Sequence, residues 1–219
     1  MQLVDLSQTI GPDTPLFSPD WPRPTCTPYL SHAQSAFSGR YLGTTVELSF
    51  AQLITSVGTY LDSPFHFNPE GPTVERLDLS QLVLPGLVVP CAGRAPRAPL
   101  GPDVVAGLDL AGRAVLLHTG WSAYWGLAAY AEHPFITGEL AQALREGGAK
   151  LVGCDFMLAD DPNDPRRPAH VTLLNAGVLI VENLTRLDQI PPGSFTFHAV
   201  PPKLAGAAAF PVRAYALVL

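Results

Sequence analysis

The chain has 219 residues, 47% of them hydrophobic and only 15% charged, which predicts one globular domain over residues 1–219 with a sizeable core. A formal net charge of −6 without any Lys/Arg cluster argues against nucleic acid or an anionic membrane as partner. No window approaches the roughly 20 apolar residues needed to span a bilayer.

In chain order, residues 11–28 carry Pro12, Pro15, Pro19, Pro22, Pro24 and Pro28. That is too many for a regular helix or a central strand. The segment reads as an extended arm laid over the body or across a neighbouring subunit, with Phe17 and Trp21 as its anchors. Thr44 to Phe50 alternates, with Val46, Leu48 and Phe50 on one face, and predicts a half-buried strand. Further aliphatic runs predict strands at Leu87–Cys91, Ala114–His118, Leu151–Cys154, Val178–Val181, Phe195–Ala199 and Arg213–Leu219. Most are apolar throughout, as in strands covered on both sides. Thr73 to Leu84 and Pro102 to Leu108 each predict a short helix. Thr137 caps a third helix carrying Leu140, Ala141 and Leu144 and ending at Gly147-Gly148. A fourth runs from about Ala169 to Asn175, closed by Gly177, with His170 at its N-terminal end. The mixture is α/β with a strand excess.

Three widely spaced cysteines, Cys26, Cys91 and Cys154, fit reduced thiols in a cytoplasmic protein better than a disulfide framework. The N-terminus, lacking a basic start, does not read as a secretory signal.

The segment Ser56-Val57-Gly58-Thr59-Tyr60-Leu61-Asp62-Ser63-Pro64-Phe65-His66-Phe67 sets a carboxylate and an imidazole four positions apart on what reads as a stiff Gly/Pro-shaped turn. His170 and Glu182 lie downstream beside apolar runs. Asp, His and Glu are usual donors to zinc, manganese or iron. Glu182 ends an apolar run, and a carboxylate entering a buried strand end is costly to desolvate unless it is paired or metal-bound. Asp160-Asp161 before Pro162 reads as a polar turn without chemistry. Trp121, Tyr124 and Trp125 read either as core or as the wall of an aromatic pocket near His118.

These residues resemble the hallmark of the cyclase/kynurenine formamidase family of metal-dependent hydrolases, His-x-Gly-Thr-His-x-Asp-x-Pro-x-His. The frame here is Ser56-x-Gly58-Thr59-Tyr60-x-Asp62-x-Pro64-x-His66. The likeness continues through Asp5-Leu6-Ser7, Leu116-Leu117-His118-Thr119-Gly120-Trp121, Gly153-Cys154-Asp155, His170-x-x-Leu173-Leu174, Val181-Glu182-Asn183-Leu184 and Pro201-Pro202-Lys203-Leu204-Ala205-Gly206. Ser56 and Tyr60 stand where the family has metal-binding histidines. The chain therefore resembles a divergent member that keeps Asp62, His66, His170 and Glu182, enough for one metal and too few for two.

The resemblance implies a swivelling β/β/α architecture and a hydrolase of a small amide, N-formyl or cyclic, using water activated by one Zn or Mn ion. The expected metal ligands are Asp62, His66, His170 and Glu182; His66, Glu182 and Tyr60 are the candidate catalytic groups. His66 fits either a ligand or a general base, and Tyr60 fits either an oxyanion donor or an aromatic filling the volume of the lost imidazole. A non-catalytic relative that binds a small molecule or serves in assembly is the alternative, because two ligands are lost. A metal-free hydrolase using Tyr60 and His66 is a third. The proline arm and low charge predict a homodimer or homotetramer.

Overall fold

The computed structural model describes residues 1–219. Its strands are β1 (Gln2–Asp5), β2 (Thr25–Leu30), β3 (Leu48–Gln52), β4 (Tyr60–Asp62), β5 (Val83–Pro90), β6 (Pro99–Leu100), β7 (Ala114–His118), β8 (Phe135–Ile136), β9 (Leu151–Cys154), β10 (Leu179–Glu182), β11 (Phe195–His198), β12 (Ala209–Pro211) and β13 (Tyr215–Val218). The helices are α1 (His32–Ala36), α2 (Gly138–Glu146) and α3 (Pro168–Asn175), with short 3₁₀ turns between elements. No helix is long and apolar enough to cross a membrane.

Nine strands form one mixed, curled α/β sheet in the order β1-β13-β11-β5-β7-β9-β10-β4-β12. The β5-β7-β9-β10 centre is parallel, and antiparallel strands extend it on both sides. The central strands are apolar on both faces because both are covered. Val115, Leu117, Val152 and Ile180 pack with α2 and α3 on one face, whereas Leu116, Leu151, Val181 and Leu61 join Phe197 and Ala216 on the other. Thr137 caps α2 by accepting from the Leu140 amide at 3.2 Å, and Leu140, Ala141 and Leu144 are buried, as expected.

The expected strands within the main sheet are present, Ala114–His118 and Leu151–Cys154 with the expected bounds and the others with shifted ends. Three expectations are corrected. The Asp62 segment is not a loop: Tyr60–Asp62 is a strand between β10 and β12, and a 3₁₀ turn, Pro64–His66, follows it. A strand this short between Gly58 and Pro64 shows no alternation long enough to recognise. The Thr73–Leu84 region holds two 3₁₀ turns, Val74–Arg76 and Leu79–Gln81, before β5 begins. The alternating Thr44–Phe50 segment becomes β3, which begins at Leu48 and has no buried face. It pairs only with β2, off the main sheet, so no core lies behind its apolar side chains. The proline arm therefore divides: residues up to Pro24 drape over the body, and Thr25 onward belongs to this ribbon.

One close approach in the sheet is measurable. A Cβ on Gly86 would sit 2.0 Å from Cε2 of Phe195, which is nearly buried. Gly86→Ala should cost about 1–3 kcal/mol in urea unfolding as an overpacked core. The same change in a Phe195→Leu background should cost less, because the smaller side chain yields the space.

Candidate metal centre

Pairing register explains how four segments meet. In the antiparallel β4–β10 ladder Tyr60 faces Glu182 and Asp62 faces Ile180. Directly paired residues share a face, and so do residues two apart on one strand. Tyr60, Asp62 and Glu182 thus all point to the face covered by α3, where Ile180 packs. Leu61 and Val181 point to the opposite core. Glu182 is also the last residue of a parallel strand, at the carboxyl edge where α/β sheets place their ligands. Helix α3 then lays His170 over this edge.

The loop before β4 is tied down. Gly58 has φ +67°, and a Cβ there would fall 2.4 Å from Ile10 Cγ1. The Asn183 Nδ2 donates to the Gly58 carbonyl at 2.7 Å, and the Thr59 hydroxyl donates to the Asn183 carbonyl at 2.6 Å. These bonds fix the register at which Asp62 enters the site.

Asp62, His170 and Glu182 are buried and their ligand atoms lie within 4.8 Å of one another. The His170 Nε2 is 3.4 Å from Glu182 Oε1 and 3.7 Å from Asp62 Oδ2. His66 lies at the rim, 32% exposed at its side chain, with Nε2 3.7 Å from Asp62 Oδ1. Phe67 stacks on the His170 ring at 4.8 Å.

Asp160, read from the sequence as an inert turn residue, is fully buried and orients His170. Its carboxylate lies 2.6 Å from His170 Nδ1 and accepts from the amides of Ala169 at 2.6 Å and His170 at 3.1 Å. Helix α3 lacks a capping side chain of its own, since Arg167 occupies that position. Asp160 satisfies two of its free N–H groups instead. The bond at Nδ1 turns Nε2 toward Asp62 and Glu182, the arrangement by which ligating histidines are oriented. No local pattern announces this contact, because it joins a turn to a helix ten residues later.

Glu182 is held at both oxygens, by the Ala159 amide at 2.6 Å and by a short bond from the Tyr60 hydroxyl. Burial, and then the charges of Glu182 and Asp62, push the Tyr60 phenol well above its usual range. It therefore stays protonated and donates to Glu182. Burial lowers His170, but hydrogen bonding to Asp160 and the neighbouring carboxylates outweigh it and raise the imidazole well above its ordinary value. Burial likewise raises Asp62, opposed by the pull of His170 and His66.

Both Asp62 oxygens are buried without a hydrogen-bond partner. A desolvated carboxylate left so is costly unless a cation meets it. Ligands of one zinc-type ion stand at most about 4.2 Å apart, given bonds of about 2.1 Å. The Asp62–His170–Glu182 trio meets that with a small inward adjustment, so the donor set fits one divalent cation. Beside it lies a cavity of about 200 Å³ lined by Phe17, Trp21, Ser56, Tyr60, His66 and Phe67, together with Met157, Leu158, Arg167 and His170. The aromatic wall comes from the N-terminal arm. Trp121 is instead buried, its Nε1 donating to the Tyr130 carbonyl, and neither it, Tyr124, Trp125 nor His118 lines this cavity. In thermal melts, millimolar Mn²⁺ or Zn²⁺ should stabilise the wild type, by about 2.7 kcal/mol at a hundred times Kd. Asp62→Asn should abolish that gain while itself melting no lower than metal-free wild type.

Comparison with known proteins agrees along most of the chain. The Cyclase family model ("Putative cyclase") matches residues 4–161. A protein named kynurenine formamidase from Geobacillus thermodenitrificans is 32% identical over 213 residues, covering 96% of this chain and 95% of that one. One of the same name from Salinibacter ruber is 31% identical, covering 98% and 96%. A solved structure titled as a predicted metal-dependent hydrolase from Bacillus stearothermophilus superposes with TM-score 0.79 at 27% identity, over 98% of this chain and 97% of that one. An isatin hydrolase bound to the product analogue thioisatinate superposes with TM-score 0.87 at 22% identity, over 99% and 92%, a likeness of fold. A fold shared nearly end to end, together with a family match over residues 4–161 and relatives above 30% identity, establishes that this chain belongs to the cyclase family.

Proposed function

We propose that the protein is a metal-dependent hydrolase of a small aryl amide, an N-formyl or cyclic amide. The observation that carries the reading is the buried Asp62 carboxylate with both oxygens unpartnered, beside His170 and Glu182. Relatives named kynurenine formamidase and structural neighbours described as metal-dependent hydrolases support the same chemistry. Asp62, His170 and Glu182 would hold one Zn²⁺ or Mn²⁺, and His66 stands at the rim outside that set. Such an ion supplies Lewis acidity to the scissile carbonyl and lowers the pKa of a coordinated water toward about 7.

The chain's own groups divide the remaining work. His170 presents Nε2 to the site because Asp160 occupies Nδ1. Tyr60 holds Glu182, one oxygen of which is also fixed by the Ala159 amide. With its proton committed to Glu182, Tyr60 is a positioning residue in this reading, not an oxyanion donor. His66 borders both the cavity and Asp62 and is partly exposed. Its place between the cavity and Asp62 makes it the group positioned to take a proton from water and pass it to the leaving amine. The arm residues Phe17 and Trp21 cover the cavity and give an aryl group a surface to pack on.

The test is hydrolysis of formanilide by protein supplied with Zn²⁺ or Mn²⁺. His66→Ala should lower kcat by about 10²- to 10⁴-fold, the usual worth of a general base, and His170→Ala should remove metal and activity together. Absence of turnover with metal bound would leave the non-catalytic alternative standing. Tyr60 fills the place of an imidazole in the family hallmark, so Ser56→His/Tyr60→His should raise the bound metal from one equivalent toward two by elemental analysis. An unchanged single equivalent would show that these positions are not what limits the count.

We also propose that two copies associate through the β2–β3 ribbon. Tyr29, Phe37, Leu42, Leu48 and Phe50 are exposed on or beside it, and a two-stranded ribbon alone is marginally stable in water. Light scattering at micromolar concentration should report a dimer or tetramer, and Leu48→Glu/Phe50→Glu should shift it to monomer. A monomeric wild type would refute the assembly.

A further inference from the structure

Four hydrogen bonds converge on Asn183, the residue that follows Glu182 out of β10. Its amide donates to the Phe156 carbonyl at 3.1 Å, and its carbonyl accepts from the Thr59 hydroxyl at 2.6 Å. Its Nδ2 donates to the Gly58 carbonyl at 2.7 Å, and its Oδ1 accepts from the Tyr130 hydroxyl at 2.8 Å. All five residues are buried. The backbone of Asn183 is left-handed, with φ +59°, a conformation that costs any residue but glycine and that Asn tolerates better than most. Tyr130 is the remote member of the set. It lies in a 3₁₀ turn, Ala128–Glu132, and does not line the cavity beside the acidic cluster. Trp125 meets its ring edge-on at 5.2 Å between centroids, and its carbonyl accepts from Trp121 Nε1, so core packing holds the phenol. Burial pushes that phenol well above its usual range, which keeps it a donor. The Gly58 carbonyl can only accept, so Nδ2 is committed there and Oδ1 is left for Tyr130.

We infer that Tyr130, acting through Asn183, is a positioning residue that sets the spacing of Asp62 and Glu182 for the cation. This rests on the metal-centre reading of that cluster and adds a residue that hydrogen-bonds neither carboxylate. Tyr60 and Glu182 are the last pair of the β4–β10 ladder. Past that pair, the side chain and carbonyl of Asn183 continue the join between the two segments, to residues 58 and 59. The Tyr130 hydroxyl fixes the amide that does so. A clamp anchored in the core holds the two carboxyl groups near ligand spacing before an ion arrives, so less of the binding free energy is spent on ordering them.

The test measures Zn²⁺ affinity of the folded protein by competition with a chromogenic chelator, beside urea unfolding of the metal-free protein. Tyr130→Phe removes one hydroxyl and keeps the ring; Asn183→Gly removes the amide and keeps the left-handed backbone. Each should weaken Zn²⁺ binding by about 10- to 100-fold, the usual effect of losing a partner behind a ligand. The double variant should bind no more weakly than Asn183→Gly alone, because Tyr130 acts only through that amide. Tyr130→Phe decides the matter by itself where Asn183→Gly fails to fold. Unchanged Zn²⁺ affinity in Tyr130→Phe, with or without a loss of stability, overturns the inference and leaves the metal centre standing, and so does an additive loss in the double variant. A wild type that binds no Zn²⁺ overturns the metal-centre reading and the inference with it.

Discussion

A carboxylate with no hydrogen-bond partner, set inside the protein at the end of a sheet, is the constraint around which the site is organised. Asp62 is fully buried with both oxygens unmatched, and Glu182 and Asp160 are equally buried within the same cluster. Three buried carboxyl groups thus crowd around one buried imidazole, and hydrogen bonds leave the Asp62 oxygens unsatisfied. Glu182 and Asp160 are each satisfied by amides, a hydroxyl or an imidazole; Asp62 is not. A divalent cation is the chemical species that completes such a set.

The rest of the architecture serves to make that arrangement possible. Strand β4 is only three residues long, yet it pairs on both sides, with β10 and with β12. Asn183 and Thr59 lock the loop that feeds it. Because the ladder fixes register, Tyr60, Asp62 and Glu182 share a face, and one residue of slip would bury Leu61 in their place. Helix α3 is anchored through Leu173 and Leu174, and its amino end is capped by the same Asp160 that orients His170. Capping, helix orientation and imidazole tautomer are thus coupled through one side chain.

Tyr60 shows how a buried phenol keeps the site in order: its hydroxyl bonds Glu182, and an aromatic ring with a donor at its tip fills volume while satisfying a carboxylate. The arm supplies what a small sheet edge lacks: Phe17 and Trp21 roof the cavity, and Arg167 reaches the same wall from the start of α3.

Much of this was legible in the residues themselves. Aliphatic runs marked the central strands because strands covered on both faces must be apolar throughout, and Thr137 with Gly147-Gly148 bounded α2 because caps are local chemistry. The ordered motifs singled out Asp62, His66, His170 and Glu182, and three of these form the buried cluster with the fourth at its rim. Other features could not be read that way. The role of Asp160 is a contact between a turn and a helix start, so no periodicity carries it. The alternation of Thr44–Phe50 promised a buried face that the fold does not provide, since alternation reports amphipathicity and not what lies behind the strand. The aromatic wall comes from Phe17 and Trp21 on the arm, whereas Trp121 went to the core. Residue types and local spacing were determined by sequence alone, because capping, propensity and ligand chemistry act over a few residues. Which side chains face one another was decided only by sheet register and helix docking, which join segments more than a hundred residues apart.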